Sequence, residues 1–199
     1  MCIRDREPHR ALRRDASENR QRLLDAARHV FADHGLEAGV EEVAHVAGVG
    51  VGTLYRRFPT KDALVAELVG ELLGEVITLA RTAAELEGGR GLERFLYDVG
   101  EAQARNRGCL ARLWRDDTTS ELRQEARGLV AALLADAQSA GRVRSDALLT
   151  DIDLLFWSFR GILEASDGPL AVAFRRQIAI TIAGLRPARE PLGAPGITA

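Results

Sequence analysis

The residues best suited to chemistry are one aromatic residue and three cations within seven positions of one another: Tyr55, Arg56, Arg57 and Lys61. Arginine and lysine bind phosphate, and arginine also forms paired hydrogen bonds with base edges. Tyrosine adds a ring and a hydroxyl donor. This composition indicates a nucleic-acid contact, and the competing interpretation is a solvated charged surface.

The total charge does not point to nucleic acid. The chain has 27 Arg and Lys against 29 Asp and Glu, a net charge of −2. Residues 1–62 hold 11 basic and 10 acidic residues, a difference of +1. A DNA contact therefore depends on where the cations lie along the chain.

Other kinds of chemistry find little support. The two cysteines, Cys2 and Cys109, and the four histidines lack the spacing of a disulfide framework or a metal site. There is no nucleophile elbow and no glycine-rich phosphate loop. We therefore predict no enzyme activity, no metal and no cofactor.

The cationic segment has the layout of a helix-turn-helix. Short helices are predicted at about Val40–Ala47 and Val51–Phe58, and Gly48 between them can take the positive φ of a tight turn. Val49 and Leu54 are expected to fill the core that the two helices share. Short helical hairpins are common, so the spacing alone is a moderate signal.

The residue types make the signal specific, because they resemble the signature of the TetR family of bacterial regulators. The matching residues are Ala47-Gly48-Val49, Gly52-Thr53-Leu54-Tyr55, Phe58 and Lys61, with Leu23-Leu24-Asp25-Ala26-Ala27 and Phe31-Ala32-Asp33-His34-Gly35 upstream. The resemblance covers about residues 18–70. It implies a transcriptional regulator, usually a repressor, that binds a near-palindromic double-stranded operator as a homodimer and responds to a small-molecule effector.

The resemblance also implies which residues contact DNA: Val51, Gly52, Thr53, Tyr55, Arg56, Arg57, Thr60 and Lys61. Two positions depart from the usual pattern. Gly39-Val40 stands where many members have a capping Ser or Thr, which removes one hydroxyl that contacts phosphate. Arg57 replaces a common His and makes that charge permanent.

The spacing of apolar residues along the chain predicts an all-α fold with about nine helices. The predicted divisions are a disordered arm, a three-helix DNA-binding domain, a sensing and dimerisation domain, and a disordered tail, at 1–14, 15–60, 61–186 and 187–199. A long fourth helix begins after Thr60, which caps it, and ends near Glu87. Later helices are expected at about 91–106, 108–115, 119–140, 150–166 and 169–185.

The family resemblance implies that the C-terminal half is a ligand sensor. Aromatic residues near polar groups suggest a pocket for an amphipathic or aromatic ligand, and the predicted ligand contacts are Phe95, Trp114, Phe156, Trp157 and Arg160. The alternative is that these aromatic residues fill a core. A well-filled C-terminal core would favour a second function, a DNA-binding protein without an effector.

Dimerisation is predicted through apolar stripes on the last two helices. The stripes are Leu149, Ile152, Phe156, Phe159 and Leu163 on one helix, and Leu170, Phe174, Ile178 and Ile182 on the other. Paired in two protomers, they would form a four-helix interface.

Residues 1–6 resemble the translation of a transposase adapter used in sequencing libraries, and we interpret them as an assembly artefact. The alternative is a genuine disordered arm. No secretory h-region and no apolar run of membrane-spanning length is present, so the expected location is the cytoplasm, without membrane contact.

Overall fold

The computed structural model describes residues 7–107, 120–165 and 169–192, with side chains from residue 18 onward in those ranges, 164 excepted. These ranges hold eight helices and no strand. The helices are α1 (Glu7–His34), α2 (Val40–Val46), α3 (Val51–Arg57), α4 (Lys61–Ala84), α5 (Gly91–Arg105), α6 (Ser120–Ser139), α7 (Leu149–Ala165) and α8 (Leu170–Leu185). The predicted all-α class is confirmed.

Contacts divide the chain into unit 1, Met1–Leu68, and unit 2, Val69–Ala199. The division lies eight residues beyond the predicted boundary at residue 60, so the first two turns of α4 belong to unit 1. Within unit 1, the Arg20 Nε donates to Glu67 Oε1 at 2.8 Å and joins these two helices. The helix α4 continues without a break across the division.

The turn between α2 and α3 follows the geometry that the sequence predicts. Gly48 has φ +67, its N–H donates to the His45 carbonyl, and the Val49 N–H donates to the Ala44 carbonyl, both at 3.0 Å. These two bonds satisfy carbonyls at the end of α2 and turn the chain into α3. Leu54 of α3 is fully buried, which anchors α3 to the core.

The start of α4 is fixed by a side-chain cap. The Thr60 Oγ1 accepts a hydrogen bond from the Ala63 N–H at 3.0 Å, as predicted. Asp62 lies in the first turn, where a carboxylate interacts favourably with the helix dipole. The apolar stripe Leu64, Leu68, Leu72 and Val76 is buried.

Unit 2 is a set of packed helices around an aromatic core. Within it α5 packs against α6 and α8, and α7 packs against α6 and α8. Phe95 meets Phe156 edge-on at 6.4 Å between centroids, and Phe159 stacks on Phe174 at 4.2 Å. Gly91 allows close packing, because an added Cβ would lie 2.5 Å from the Ala83 carbonyl oxygen.

The stripes predicted to form the dimer interface are largely core. Ile152, Phe159, Phe174 and Ile178 are buried within the protomer, and so are Phe156 and Leu170. The interface prediction for these side chains is therefore wrong. A period of 3.6 residues identifies the apolar face of a helix, but not whether the same chain or a second copy covers it.

The prediction for the N-terminal arm also differs from the structure. The sequence predicts disorder through residue 14 and a helix from about Asp15, whereas α1 begins at Glu7. Pro8 falls in the first turn, where its fixed φ suits a helix, and the following residues include good helix formers and no glycine.

The chain beyond α8 is held by polar contacts as far as Leu192. Arg144 Nη2 donates to Asp146 Oδ2 at 2.8 Å and to the Glu190 carbonyl, while the Leu192 N–H donates to Asp146 Oδ2 at 3.1 Å. We call these four residues the C-terminal clasp. The predicted disordered tail is therefore wrong for 187–192, and 193–199 lie outside the described residues.

Burial and charge make the clasp a firm contact. Arg144 is 9% exposed, and its backbone N–H also donates to the Leu185 carbonyl at 2.9 Å. The hydrogen bond from Arg144 and that from the Leu192 N–H lower the pKa of Asp146 to about 2. A carboxylate is therefore favoured over a carboxylic acid at this position.

Candidate nucleic-acid interface and ligand cavity

Helix α3 buries one face and exposes the other. Leu54 is buried, whereas Gly52, Tyr55, Arg56 and Arg57 are exposed, with Tyr55 at 44%. We call these four exposed residues the α3 face. Val51 and Thr53 are half-buried beside it. The structure thus presents the predicted aromatic and cationic side chains to solvent on one short helix.

The two cations flanking the end of α3 contact aromatic rings. The Arg57 guanidinium lies 5.9 Å from the centroid of Phe58, and the Lys61 Nζ lies 5.9 Å from that of Phe31. Such contacts restrict long side chains while leaving the donors available. Lys61 is half-buried and opens α4, where backbone N–H groups favour an anion.

The start of α2 lacks the hydroxyl that the family pattern usually supplies. Gly39 is the N-cap and makes no side-chain hydrogen bond, and Glu41 and Glu42 occupy the first turn. Glu42 is paired with His34, with 2.7 Å between Oε1 and Nδ1. This end of α2 is therefore acidic, and the cations suited to phosphate lie on α3 and at the start of α4.

A cavity of about 220 Å³ lies within unit 2 among α4, α5, α6 and α7. Its lining is mostly apolar. The lining residues are Leu73, Val76, Phe95, Val99, Gln103, Arg123, Ala126, Arg127, Val130, Leu149, Asp153, Phe156 and Trp157. A concave apolar space with a few polar groups is the usual form of a small-molecule site.

The polar groups of the cavity differ in how well they are satisfied. Arg127 Nη1 donates to Asp153 Oδ2, so these two charges neutralise each other. Gln103 is buried, and its Oε1 has no hydrogen-bond partner. An acceptor buried in this way is costly unless a ligand or water meets it.

Three of the five predicted ligand contacts line this cavity: Phe95, Phe156 and Trp157. Arg160 does not line it and is exposed one turn further along α7. Trp114 lies outside the described residues.

Sequence reasoning missed the polar lining, which is Gln103, Arg123, Arg127 and Asp153. One signal was present. Gln103 continues the stripe Phe95, Val99 at intervals of four residues, so a polar side chain sits where an apolar one is expected.

Two other kinds of site have no counterpart in the described part of the chain. Among the described residues, no group of three or more His, Cys, Asp or Glu side chains is placed to hold a metal ion. No helix in those same ranges has both the length and the apolarity to cross a membrane.

Two family models match the chain. Residues 23–68 match a model described as bacterial regulatory proteins, tetR family. Residues 87–187 match a model described as transcriptional regulator SbtR-like, C-terminal domain. The first match contains α2, α3 and the start of α4, and the second contains most of unit 2.

Individual relatives agree with these models. The HTH-type transcriptional repressor KstR2 of Rhodococcus jostii is 30% identical over 154 residues, which are 70% of this chain and 74% of the relative. An HTH-type transcriptional regulator of Staphylococcus aureus is 38% identical over 68 residues, so the match spans 34% of this chain and only 37% of that regulator. A crystal structure of a TetR transcription regulatory protein from Mycobacterium vanbaalenii is 32% identical with a TM-score of 0.62, covering 88% of this chain and 99% of that one.

Proposed function

The chain belongs to the TetR family of bacterial transcription regulators, and on that premise we propose that it is a repressor released from its operator by a small molecule. The observation that carries the proposal is the pairing, in one chain, of an exposed cationic α3 face with a cavity of about 220 Å³ in unit 2. The cavity favours a ligand-responsive regulator over a DNA-binding protein without an effector, because the C-terminal core is not completely filled.

The proposed DNA contact uses α3 as the recognition helix. Arg56 and Arg57 supply donors for base edges or phosphates, and Tyr55 supplies a ring and a hydroxyl. Val51, Gly52 and Thr53 form the N-terminal part of the helix, where recognition helices approach bases. Thr60 and Lys61 hold an adjoining phosphate. Loss of a phosphate contact weakens binding to every sequence, whereas loss of a base contact changes sequence preference.

We infer a homodimer that joins through the exposed apolar residues of α7 and α8, not through the buried stripes. Leu154, Val172 and Ile180 are exposed, and we call them the dimer face. Large apolar side chains exposed along two neighbouring helices mark an interaction surface. A two-fold dimer presents two recognition helices, so its operator is a near-palindrome with half-sites about one helical turn apart or somewhat more.

The proposed signal passes along α4. Leu73 and Val76 of this helix line the cavity, and the same unbroken helix starts at Lys61 in unit 1. A ligand that binds one conformation of the dimer more tightly than the other shifts the population toward it. Operator DNA then weakens ligand binding by the same factor that ligand weakens DNA binding.

The first test is selection of an operator from a pool of random duplexes by the full-length protein. We expect a near-palindromic consensus that is bound about 10³-fold or more tightly than a scrambled duplex. A reporter promoter overlapping that consensus should be repressed. Equal affinity for the selected and scrambled duplexes would refute sequence-specific regulation.

The second test asks whether the cavity controls DNA binding. Ala126→Leu adds volume to the cavity wall, and Ala132→Leu makes the same change at an exposed position of the same helix. Compounds are screened for weakening operator binding by the wild-type protein. An active compound should lose its effect on Ala126→Leu and keep it on Ala132→Leu. An undiminished effect on both variants would place the effector elsewhere.

A further inference from the structure

Gln103 carries the unsatisfied polar group of the cavity. This side chain is 3% exposed and lines the cavity, and its Oε1 has almost no accessible surface and no hydrogen-bond partner. A ligand in the cavity therefore meets this oxygen when the terminal amide turns toward it. Thr150 Oγ1 is the other such atom in the described part of the chain, and Thr150 does not line this cavity. The amide oxygen of a glutamine only accepts hydrogen bonds, so whatever meets it must be a donor.

The neighbouring charges do not supply that donor. Neither Arg123 nor Arg127, the two guanidinium groups of the lining, donates to Gln103 Oε1, and Arg127 is bonded to Asp153. Most of the other lining side chains are aliphatic or aromatic. Water can occupy such a site only until a ligand displaces it. A ligand that displaces a bound water without reproducing its hydrogen bond loses affinity.

The volume of the cavity limits the part of the ligand that it can enclose. A buried apolar cavity of roughly 150 Å³ accommodates benzene. The cavity here is about 220 Å³, which leaves room for one ring and a small substituent. Phe95 and Phe156 stand edge to face in its wall, with 6.4 Å between centroids, and aromatic walls favour an aromatic occupant.

We propose that the effector is a neutral compound with one aromatic ring and a hydroxyl group, of the phenol class, whose O–H donates to Gln103 Oε1. This inference rests on the proposed function, which it deepens by naming the ligand chemistry. A phenolate does not fit, because its oxygen would face the amide oxygen as a second acceptor.

The test compares two probes of nearly the same shape, p-cresol and p-xylene, which differ by a hydroxyl in place of a methyl. Both are titrated into the wild-type protein and Gln103→Met, an unbranched apolar replacement. Binding is followed by tryptophan fluorescence, since Trp157 lines the cavity. The ratio of the p-cresol and p-xylene affinities is taken within each protein. Comparing this ratio between wild type and Gln103→Met cancels the contributions to binding that residue 103 does not affect, and so isolates the hydrogen bond.

We expect the preference for p-cresol over p-xylene to fall by about tenfold or more from wild type to Gln103→Met. The same exchange at an exposed position, Gln124→Met, should leave the preference unchanged. Gln103→Met should melt no lower than the wild type, because it removes an unpaired buried acceptor. Gln103→Leu provides a second variant with the same expected result if the methionine variant does not fold.

Three results would overturn the proposal: an unchanged preference in both Gln103 variants, an equal loss in Gln124→Met, or no binding of either probe up to its solubility. Operator binding is measured separately with each probe. If p-cresol depends on Gln103 and leaves operator affinity unaltered, the ligand chemistry stands and the proposed regulatory function fails. If another compound releases the operator while p-cresol shows no Gln103-dependent preference, the function stands and the phenol proposal fails.

Discussion

In unit 1 the side chains proposed to meet DNA project outward from a helix whose other face is buried, whereas in unit 2 those proposed to meet the ligand line a space among four helices. The first arrangement is specified by residue identity at fixed positions around one tight turn. The second is specified by what the packing of several helices leaves empty. A regulator built in this way can change its ligand by altering core packing while its reading of DNA stays the same.

The largest effect is expected in unit 2, where helix packing is proposed to determine function. The test places the same charge at a buried and at an exposed position of α8. Ile178 is 1% exposed and Ile180 is 53% exposed. Ile178→Glu buries an unpaired carboxylate and should destabilise unit 2 by more than about 4 kcal/mol, enough to prevent folding. Ile180→Glu should fold and yield monomers. Circular dichroism melting and analytical ultracentrifugation distinguish the two.

The opposite pattern, a folded monomer for Ile178→Glu and an unchanged dimer for Ile180→Glu, would restore the stripes predicted from sequence as the interface.

Glycine substitutions in the two units are expected to have the next largest effects on stability. Gly91→Ala should cost about 1–3 kcal/mol, because its Cβ would lie 2.5 Å from the Ala83 carbonyl oxygen and 2.9 Å from Leu133 Cδ2. Gly48→Ala should cost about 1–2 kcal/mol through its φ of +67 alone, since no atom lies within 4 Å of the added Cβ. Urea denaturation measures both.

Gly128→Ala is the control, because it lies within α6 with open space around its Cβ. It should raise stability by about 0.5–1 kcal/mol. If Gly91→Ala raises stability as this control does, the close contact of Gly91 with Ala83 and Leu133 does not restrict residue 91 to glycine.

A smaller effect is expected from Lys61→Ala in unit 1. It should weaken binding to all duplexes and flatten the plot of log affinity against log salt by about 0.9. Loss of the contact with Phe31 should also cost about 0.5–1 kcal/mol of stability. Fluorescence anisotropy over a salt series provides the slope.

Arg186→Ala removes one exposed positive charge from unit 2 and should leave that slope unchanged. A selective loss for one sequence, with the salt slope unaltered, would contradict a phosphate role for Lys61.

The smallest expected effect concerns the C-terminal clasp and depends on pH. The pKa of Asp146 is about 2 in the folded protein, below its ordinary value of 3.8, so its charge stabilises the fold above about pH 4. That contribution declines as the pH falls from 3.8 toward 2. Asp146→Asn should therefore melt below the wild type at pH 7, with a difference that narrows in this window.

Asp136→Asn, at an exposed position on α6, should show no such narrowing. A melting difference for Asp146→Asn that is constant from pH 7 to 3 would indicate that the hydrogen-bond geometry, not the charge, matters.

Local signals predicted unit 1 well. The sequence places α2 and α3 within one residue of their observed ends, because Gly48 and Pro59 mark where each helix must stop. It also assigns Leu54 to the core, and the family resemblance assigns Tyr55 to the surface, both in agreement with the structure. The family resemblance is confirmed, and the individual DNA contacts remain predictions.

Contacts between distant parts of the chain are predicted less well from the sequence. Ile178 was assigned to a dimer interface, although α5 covers it at Gly100. Arg160 was assigned to the pocket, whereas Gln103 was overlooked. Which side of an apolar helix meets which neighbour depends on the packing of all the helices, and no local pattern contains that information.

The clasp is also a contact that forms late in protein synthesis. N-terminal domains fold first as the chain grows at about 5–20 residues per second. The 124 residues from Val69 to Leu192 therefore take roughly 6 to 25 s to add after unit 1 is complete. Throughout that interval the clasp stays open, because Glu190 and Leu192 are among the last of the described residues to be added. It therefore closes only after the residues of all eight described helices have been synthesised.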